Sequence, residues 1–117
     1  MKTKYLMILG LLVIVVIVLT YTYFQRPSKG KGKVEVIIQD CISLCESALQ
    51  HDVDLSVGPC LSDNNPEWKH SDWVCDVAHW PREDVDNNPS NQCKEFREGR
   101  AHHFVEVTPE CGYIRHR

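Results

Sequence analysis

The chain has 117 residues and a formal net charge of −3, room for one apolar helix and one small domain but not for a multi-domain enzyme. Charge is segregated along it. Six of the 13 basic groups and none of the 16 acidic ones fall in residues 1–33, which leaves residues 34–117 with seven basic groups against 16 acidic, a formal −9. A domain that acidic repels phosphate backbones, so nucleic acid is excluded as a partner.

Residues 1–4 are a short flank carrying Lys2 and Lys4. Tyr5 to Phe24 is then a run of 20 uncharged residues rich in Leu, Ile and Val. As a helix, such a run spans roughly 30 Å, the hydrocarbon thickness of a bilayer. A secretory signal would have a shorter apolar region, about 7–15 residues, ending in small residues. This run ends Tyr21-Thr22-Tyr23-Phe24-Gln25-Arg26-Pro27, whose aromatics suit a membrane–water interface. The expectation is an uncleaved transmembrane anchor over residues 5–24, which makes the membrane the first partner.

The flanking charges and the cysteines point to opposite orientations. Lys2, Lys4 and the terminal amine precede the helix, whereas Arg26, Lys29, Lys31 and Lys33 follow it, which slightly favours a cytoplasmic domain. All six cysteines, however, lie in residues 34–117, an even number on a small domain, and disulfides persist outside the cytoplasm. The charge difference is small, while the cysteines bear on the stability of the whole domain. The expected localisation is therefore the cell membrane, single-pass, with the C-terminal domain outside.

Residues 25–33 read as a basic spacer in which Pro27, Gly30 and Gly32 break any helix leaving the bilayer. Beyond it, Val34, Ile37, Ile38, Cys41, Leu44, Cys45, Ala48 and Leu49 recur at helical spacing, which predicts an amphipathic helix over about residues 34–50. The rest is turn-rich. Asp-Asn-Asn-Pro occurs at 63–66 and again at 86–89, and both copies read as turns. Strands are expected at Asp72–Ala78, at His103–Val107 and, more briefly, at Gly112–Arg115. The predicted fold class is α+β: a transmembrane helix, then one amphipathic helix packed on a small antiparallel sheet with disulfide-stapled loops.

Residues 34–117 contain only 19 Leu, Ile, Val and Phe residues, assisted by Trp68, Trp73, Trp80 and Tyr113. A core of that size supplies about 3–5 kcal/mol, and each disulfide adds roughly 2–4. Cys41, Cys45, Cys60, Cys75, Cys93 and Cys111 are therefore read as three structural bridges. Cys41 and Cys45 share one helical face, so each should clamp a different loop rather than bond its neighbour. Six cysteines permit 15 pairings. The preferred set joins Cys75 to Cys93 and the helical pair to Cys60 and Cys111.

Other chemistry has thinner support. Cys41-x3-Cys45, Cys75-x3-His79 and His102-His103 have acceptable zinc spacing, yet no C-x2-C pair is present. Asp84, Asp86 and Asn88 occupy positions 1, 3 and 5 of a calcium-type loop whose twelfth residue is Glu95, but Pro89 stands where a glycine should make the turn. These four are the weak candidate metal ligands, and no cofactor is expected. His79, His102 and His103 are candidate bases, but six paired cysteines leave no free thiol for them to activate. Asp72, Asp76, Glu83 and Asp84 supply carboxylates without a defined pairing. No Gly-rich phosphate loop, nucleophile elbow or H-E-x-x-H helix occurs, so no enzymatic activity is expected.

Four segments carry a resemblance: Gly58-Pro59-Cys60-Leu61-Ser62, Asp72-Trp73-Val74-Cys75-Asp76-Val77-Ala78-His79, Asn91-Gln92-Cys93 and His103-Phe104-Val105-Glu106-Val107. Together they resemble the ectodomain of small archaeal surface proteins similar to type IV pilins, over about residues 41–115. The resemblance implies anchoring or assembly through the N-terminal helix with the cysteine-bearing head displayed outside. Two features depart from it: Lys2-Thr3-Lys4-Tyr5 stands where a processing signal would, and the Pro/Gly spacer interrupts the helix of a filament core. The expected function is a membrane-tethered extracytoplasmic structural or interaction domain with a surface-protein partner. The alternative is an ectodomain that binds a cation or small ligand.

Overall fold

A computed structural model describes residues 1–24 and 32–117 and divides into two compact units, Met1–Lys31 and Gly32–Arg117. The expected spacer lies outside the described residues as far as residue 31. Its last two residues instead start the second unit, Gly32 as the N-cap and Lys33 as the first residue of a helix.

In the first unit, helix α1 (Lys2–Phe24) has 23 residues and no buried side chain. It starts three residues before the apolar run and is long and apolar enough to cross a membrane, a property it shares with signal sequences. The hydroxyls of Thr20 and Thr22 donate back to the carbonyls of Val16 and Leu19, which satisfies two polar groups within the apolar run.

The second unit is α+β. Helix α2 (Lys33–Gln50) buries Ile37, Ile38, Cys41, Leu44 and Cys45, the centre of the predicted stripe. The ends of the stripe, Val34 and Leu49, remain exposed. Strands β1 (Trp73–Val77), β2 (His103–Val107) and β3 (Tyr113–His116) form one sheet in the order β1-β2-β3, within about a residue of the expected positions.

The sheet is mixed, which corrects the expected antiparallel arrangement: β1 pairs with β2 in parallel, and only β2 with β3 is antiparallel. The cause lies in the connections. Residues 108–112 make a short turn closed by Thr108 N–H to the Gly112 carbonyl at 2.7 Å. Residues 78–102 are long enough for the crossover that a parallel pair requires. They contain a turn of 3-10 helix at Asp84–Asn87 and helix α3 (Lys94–Arg97), neither of which was expected.

Period-two alternation divides the sheet into two faces. Cys75, Val77, Val105 and Val107 pack with α2 in the main core, joined by Leu55 and Leu61. Val74 packs on the other face against Cys93 and Ala101, with Cys60 and Phe104 alongside. Two aromatic residues expected to help the core do not: Trp80 is 71% exposed and Tyr113 is 46% exposed. Trp68 does serve it, donating its indole N–H to the Trp73 carbonyl at 2.8 Å.

All six cysteines are paired. The bridges are Cys41–Cys75, Cys45–Cys111 and Cys60–Cys93. The two helical cysteines clamp different segments, as their shared face required, but the expected Cys75–Cys93 bond is wrong. Cys75 points from β1 toward α2, while Cys93 lies across the sheet, where Cys60 meets it. Alternation along β1 decided the pairing.

Candidate functional site

The sheet face away from α2 carries a hollow of about 370 Å³. Its apolar lining is Val74, Phe96 and Phe104, with the two rings edge-on at 5.3 Å. Arg115 from β3 lies over Phe104, its guanidinium carbon 5.4 Å from the ring centroid. Arg97 from α3 and Arg82 from the crossover complete a set of three guanidinium groups.

Two carboxylates rise from the floor, Asp76 on β1 and Glu106 on β2, in register on adjacent strands. Glu106 is 6% exposed and is clasped from both sides, by Arg82 at 3.1 Å and by Arg115 at 2.5 Å. Asp76 has no such partner. Burial pushes its pKa up to about 8; Glu106 adds to this, Arg82 opposes it, and Asp86 and Asp63 raise it further. At neutral pH Asp76 is therefore a carboxylic acid.

A disulfide adjoins the Asp76 carboxyl. Its Oδ1 lies 3.7 Å from Cys93 Sγ. A disulfide sulfur carries no proton, so any hydrogen bond there runs from the Asp76 hydroxyl to sulfur. Cys60 is held alongside by an isolated β-bridge to Asp76, with Leu61 N–H on the Cys75 carbonyl and Val77 N–H on the Pro59 carbonyl. Among the described residues, Cys60, Asp76 and Cys93 form the one group of three or more Cys, His, Asp or Glu side chains whose Sγ and carboxylate oxygen atoms lie within 4.8 Å of one another, but the two sulfurs are tied in the disulfide and offer no thiolate to a metal.

Of the residues singled out from sequence, Asp76 and Cys93 line the hollow; most of the others lie elsewhere and are already engaged. Asp86 is buried and accepts from the backbone N–H groups of His79 and Glu83, with the His79 ring Nδ1 at 2.9 Å. Burial works against its charge, but these donors outweigh it and hold its pKa below the usual range. The bond from Asp86 in turn raises the pKa of His79 against the opposing effect of burial. Glu95 makes a paired contact with Arg100 at 2.7 and 2.8 Å. Asn88 turns onto Ser90, and Asp84 is exposed on the 3-10 turn. The calcium-type set Asp84, Asp86, Asn88 and Glu95 is thus divided among separate local structures. His102 and His103 both face Asp72, at 2.6 and 3.6 Å, just before and at the start of β2. His79 follows the far end of β1, so the three histidines occupy opposite ends of a parallel strand pair.

A smaller hollow of about 280 Å³ between α2 and residues 67–70 contains His70 and Asp40, which bond each other at 2.7 Å. The arginines and phenylalanines of the larger hollow were not foreseen, because residues from five separate segments meet there. One signal was available: each buried strand carries a single carboxylate at its fourth residue, Asp76 in Trp73–Val77 and Glu106 in His103–Val107.

Comparison with protein-family models, curated proteins and solved structures finds no match for this chain.

Proposed function

We propose that this is a membrane-anchored interaction protein whose disulfide-stapled head stands outside the cell and engages an acidic, aromatic-bearing segment of a surface-protein partner. The single observation that supports the reading most is the charge of the hollow. Three guanidinium groups face one clasped carboxylate there, Asp76 being protonated, on a head whose formal charge is otherwise strongly negative. Among the described residues the Arg97 guanidinium donates to the Pro89 carbonyl, at 3.1 Å, and it has further N–H donors for a carboxylate. Phe96 and Phe104 supply the apolar wall against which an aromatic side chain stacks. The length of α1 and the three disulfides support the anchored, oxidising setting, and display beside pilin-like proteins belongs to the same proposal.

Two measurements test it. A membrane-impermeant amine reagent on intact cells should modify Lys69 and Lys94 of the head, and Lys2 and Lys4 only after lysis; the reverse pattern would refute the topology. Titration of the full chain in detergent with a Glu/Phe-containing peptide should show affinity that falls with added salt and drops about tenfold in Arg97→Ala. Binding indifferent to both salt and Arg97 would refute the site.

A further inference from the structure

The three disulfides do not share one environment. Cys41 and Cys75 are fully buried under α2, and Cys45–Cys111 is nearly so. Cys60 is half-buried, and its partner Cys93 lines the hollow. Two proton-bearing groups converge on this third bridge. One is the Asp76 carboxyl, 3.7 Å from Cys93 Sγ. The other is the buried Ser62 hydroxyl, 3.5 Å from Cys60 Sγ and 3.8 Å from Cys93 Sγ. Ser62 Oγ accepts the Cys75 N–H at 3.0 Å, which leaves its own hydrogen for the sulfurs. A bridge that serves only as a staple needs neither donor, whereas in a disulfide that opens each donor assists the sulfur beside it, because the leaving sulfur departs as a thiolate.

We propose that Cys60–Cys93 is an exchangeable disulfide that accepts two electrons from an external dithiol, with Asp76 protonating the departing Cys93 sulfur. The dithiol, as its thiolate, attacks the more exposed Cys60 Sγ. The Cys60–Cys93 bond breaks, its electron pair goes to Cys93 Sγ, and the Asp76 carboxyl gives that sulfur its proton. The second thiol of the dithiol passes its proton to the Asp76 carboxylate and attacks the mixed disulfide. Cys60 then leaves as a thiolate, is held by the Ser62 hydroxyl, and takes a proton from water. The dithiol becomes a disulfide and the head gains two thiols, while Cys41–Cys75 and Cys45–Cys111 keep the fold closed. The natural substrate class is a cysteine pair on another extracytoplasmic protein. This inference stands independently of the acidic-segment reading, since it uses the sulfur side of the hollow and no arginine contact.

The charged groups around Asp76 set its working range: Glu106 from β2, Arg82 from the crossover, Asp86 from the 3-10 turn and Asp63 from the preceding loop. Arg97 and Arg115 line the same hollow. Once Asp76 ionises, a carboxylate faces the developing thiolate and opposes bond breaking.

The test uses the full chain in detergent, dithiothreitol as the dithiol, and alkylation followed by mass mapping. Cys60 and Cys93 should be labelled before any other cysteine. Their opening rate, divided by the thiolate concentration of the reagent, should fall at least roughly tenfold as pH rises past Asp76's pKa, about 8. Asp76→Asn should be slower below that pH and flat across it. Glu106→Gln, which removes a neighbouring negative charge, should move the fall to lower pH. Should Asp76→Asn not fold, the wild-type and Glu106→Gln profiles decide the matter. First opening at another bridge, a flat wild-type profile, or an unchanged profile in a folded Asp76→Asn would each overturn the proposal.

Discussion

Asp76 and Glu106 stand opposite each other in register on two parallel strands, yet one is clasped by two guanidinium groups while the other keeps its proton. Like charges directly opposed across a sheet are destabilising. The conflict is resolved by giving both arginines to Glu106, which leaves Asp76 neutral beside a disulfide.

Stability should therefore fall as pH rises across the range in which the unfolded chain has lost the Asp76 proton and the folded chain retains it. With a folded pKa raised from 3.8 to about 8, that range is about pH 4 to 8, and the limiting slope is about 1.4 kcal/mol per pH unit. Asp76→Asn, close in shape to the neutral acid, should melt higher than wild type by a margin that grows with pH. Thermal melts from about pH 5 to about pH 8 check this, and a constant margin would contradict it.

Glu106→Gln should act on its neighbour as well as on itself. Glu106 is the first charge raising the Asp76 pKa after burial, so its loss lowers that pKa, which a carboxyl-carbon titration by NMR reads directly. The substitution also leaves Arg82 and Arg115 without a counter-charge and should cost about 2–4 kcal/mol in denaturant melts.

The loop after β1 depends on Asp86. Asp86→Asn can keep its amide oxygen on the two backbone N–H groups, which both bond Oδ2, but it loses the charge and sets an amide donor against the His79 ring Nδ1, at a cost of about 1.5–3 kcal/mol. Gly58→Ala should weaken the same contact, because its Cβ would stand 2.8 Å from Asp86 Oδ1 and its φ of +69° already disfavours a side chain. In a double-mutant cycle the two losses should be less than additive. For pH the signs are opposite at the two partners. The raised His79 pKa contributes stability that is full below about 6.5 and lost as pH rises through its folded value. The lowered Asp86 pKa contributes stability that is full above about 3.8 and lost as pH falls through its folded value.

The disulfides can be ranked by loop. Cys45–Cys111 spans 66 residues of sequence, against 34 and 33 for the other two bridges. Replacing both cysteines by Ser should cost about 4 kcal/mol on the chain-entropy account. The same change at Cys60 and Cys93 should cost slightly less and leave the α2 core intact. Equilibrium unfolding of the two double variants compares them.

Local pattern determined the elements of this protein. The charge-free run, the 3.6-residue stripe of α2 and the three apolar strand segments were legible because each depends on neighbours within a few residues. The cysteine count and the shared face of Cys41 and Cys45 likewise implied bridges to separate segments. Strand direction and bridge partners were settled only by tertiary structure. The 78–102 crossover makes β1 and β2 parallel, and alternation along β1 sends Cys75 to one face while Cys93 waits on the other. The calcium-type spacing of Asp84, Asp86, Asn88 and Glu95 was divided among nearby partners, because local hydrogen bonds and a close arginine engage carboxylates before any loop can gather them. The hollow around Asp76 was the least legible part. Its lining comes from three strands, one short helix and a loop, and nothing in a linear pattern reports that Asp76 will be buried beside Cys93 with both nearby arginines already given to Glu106.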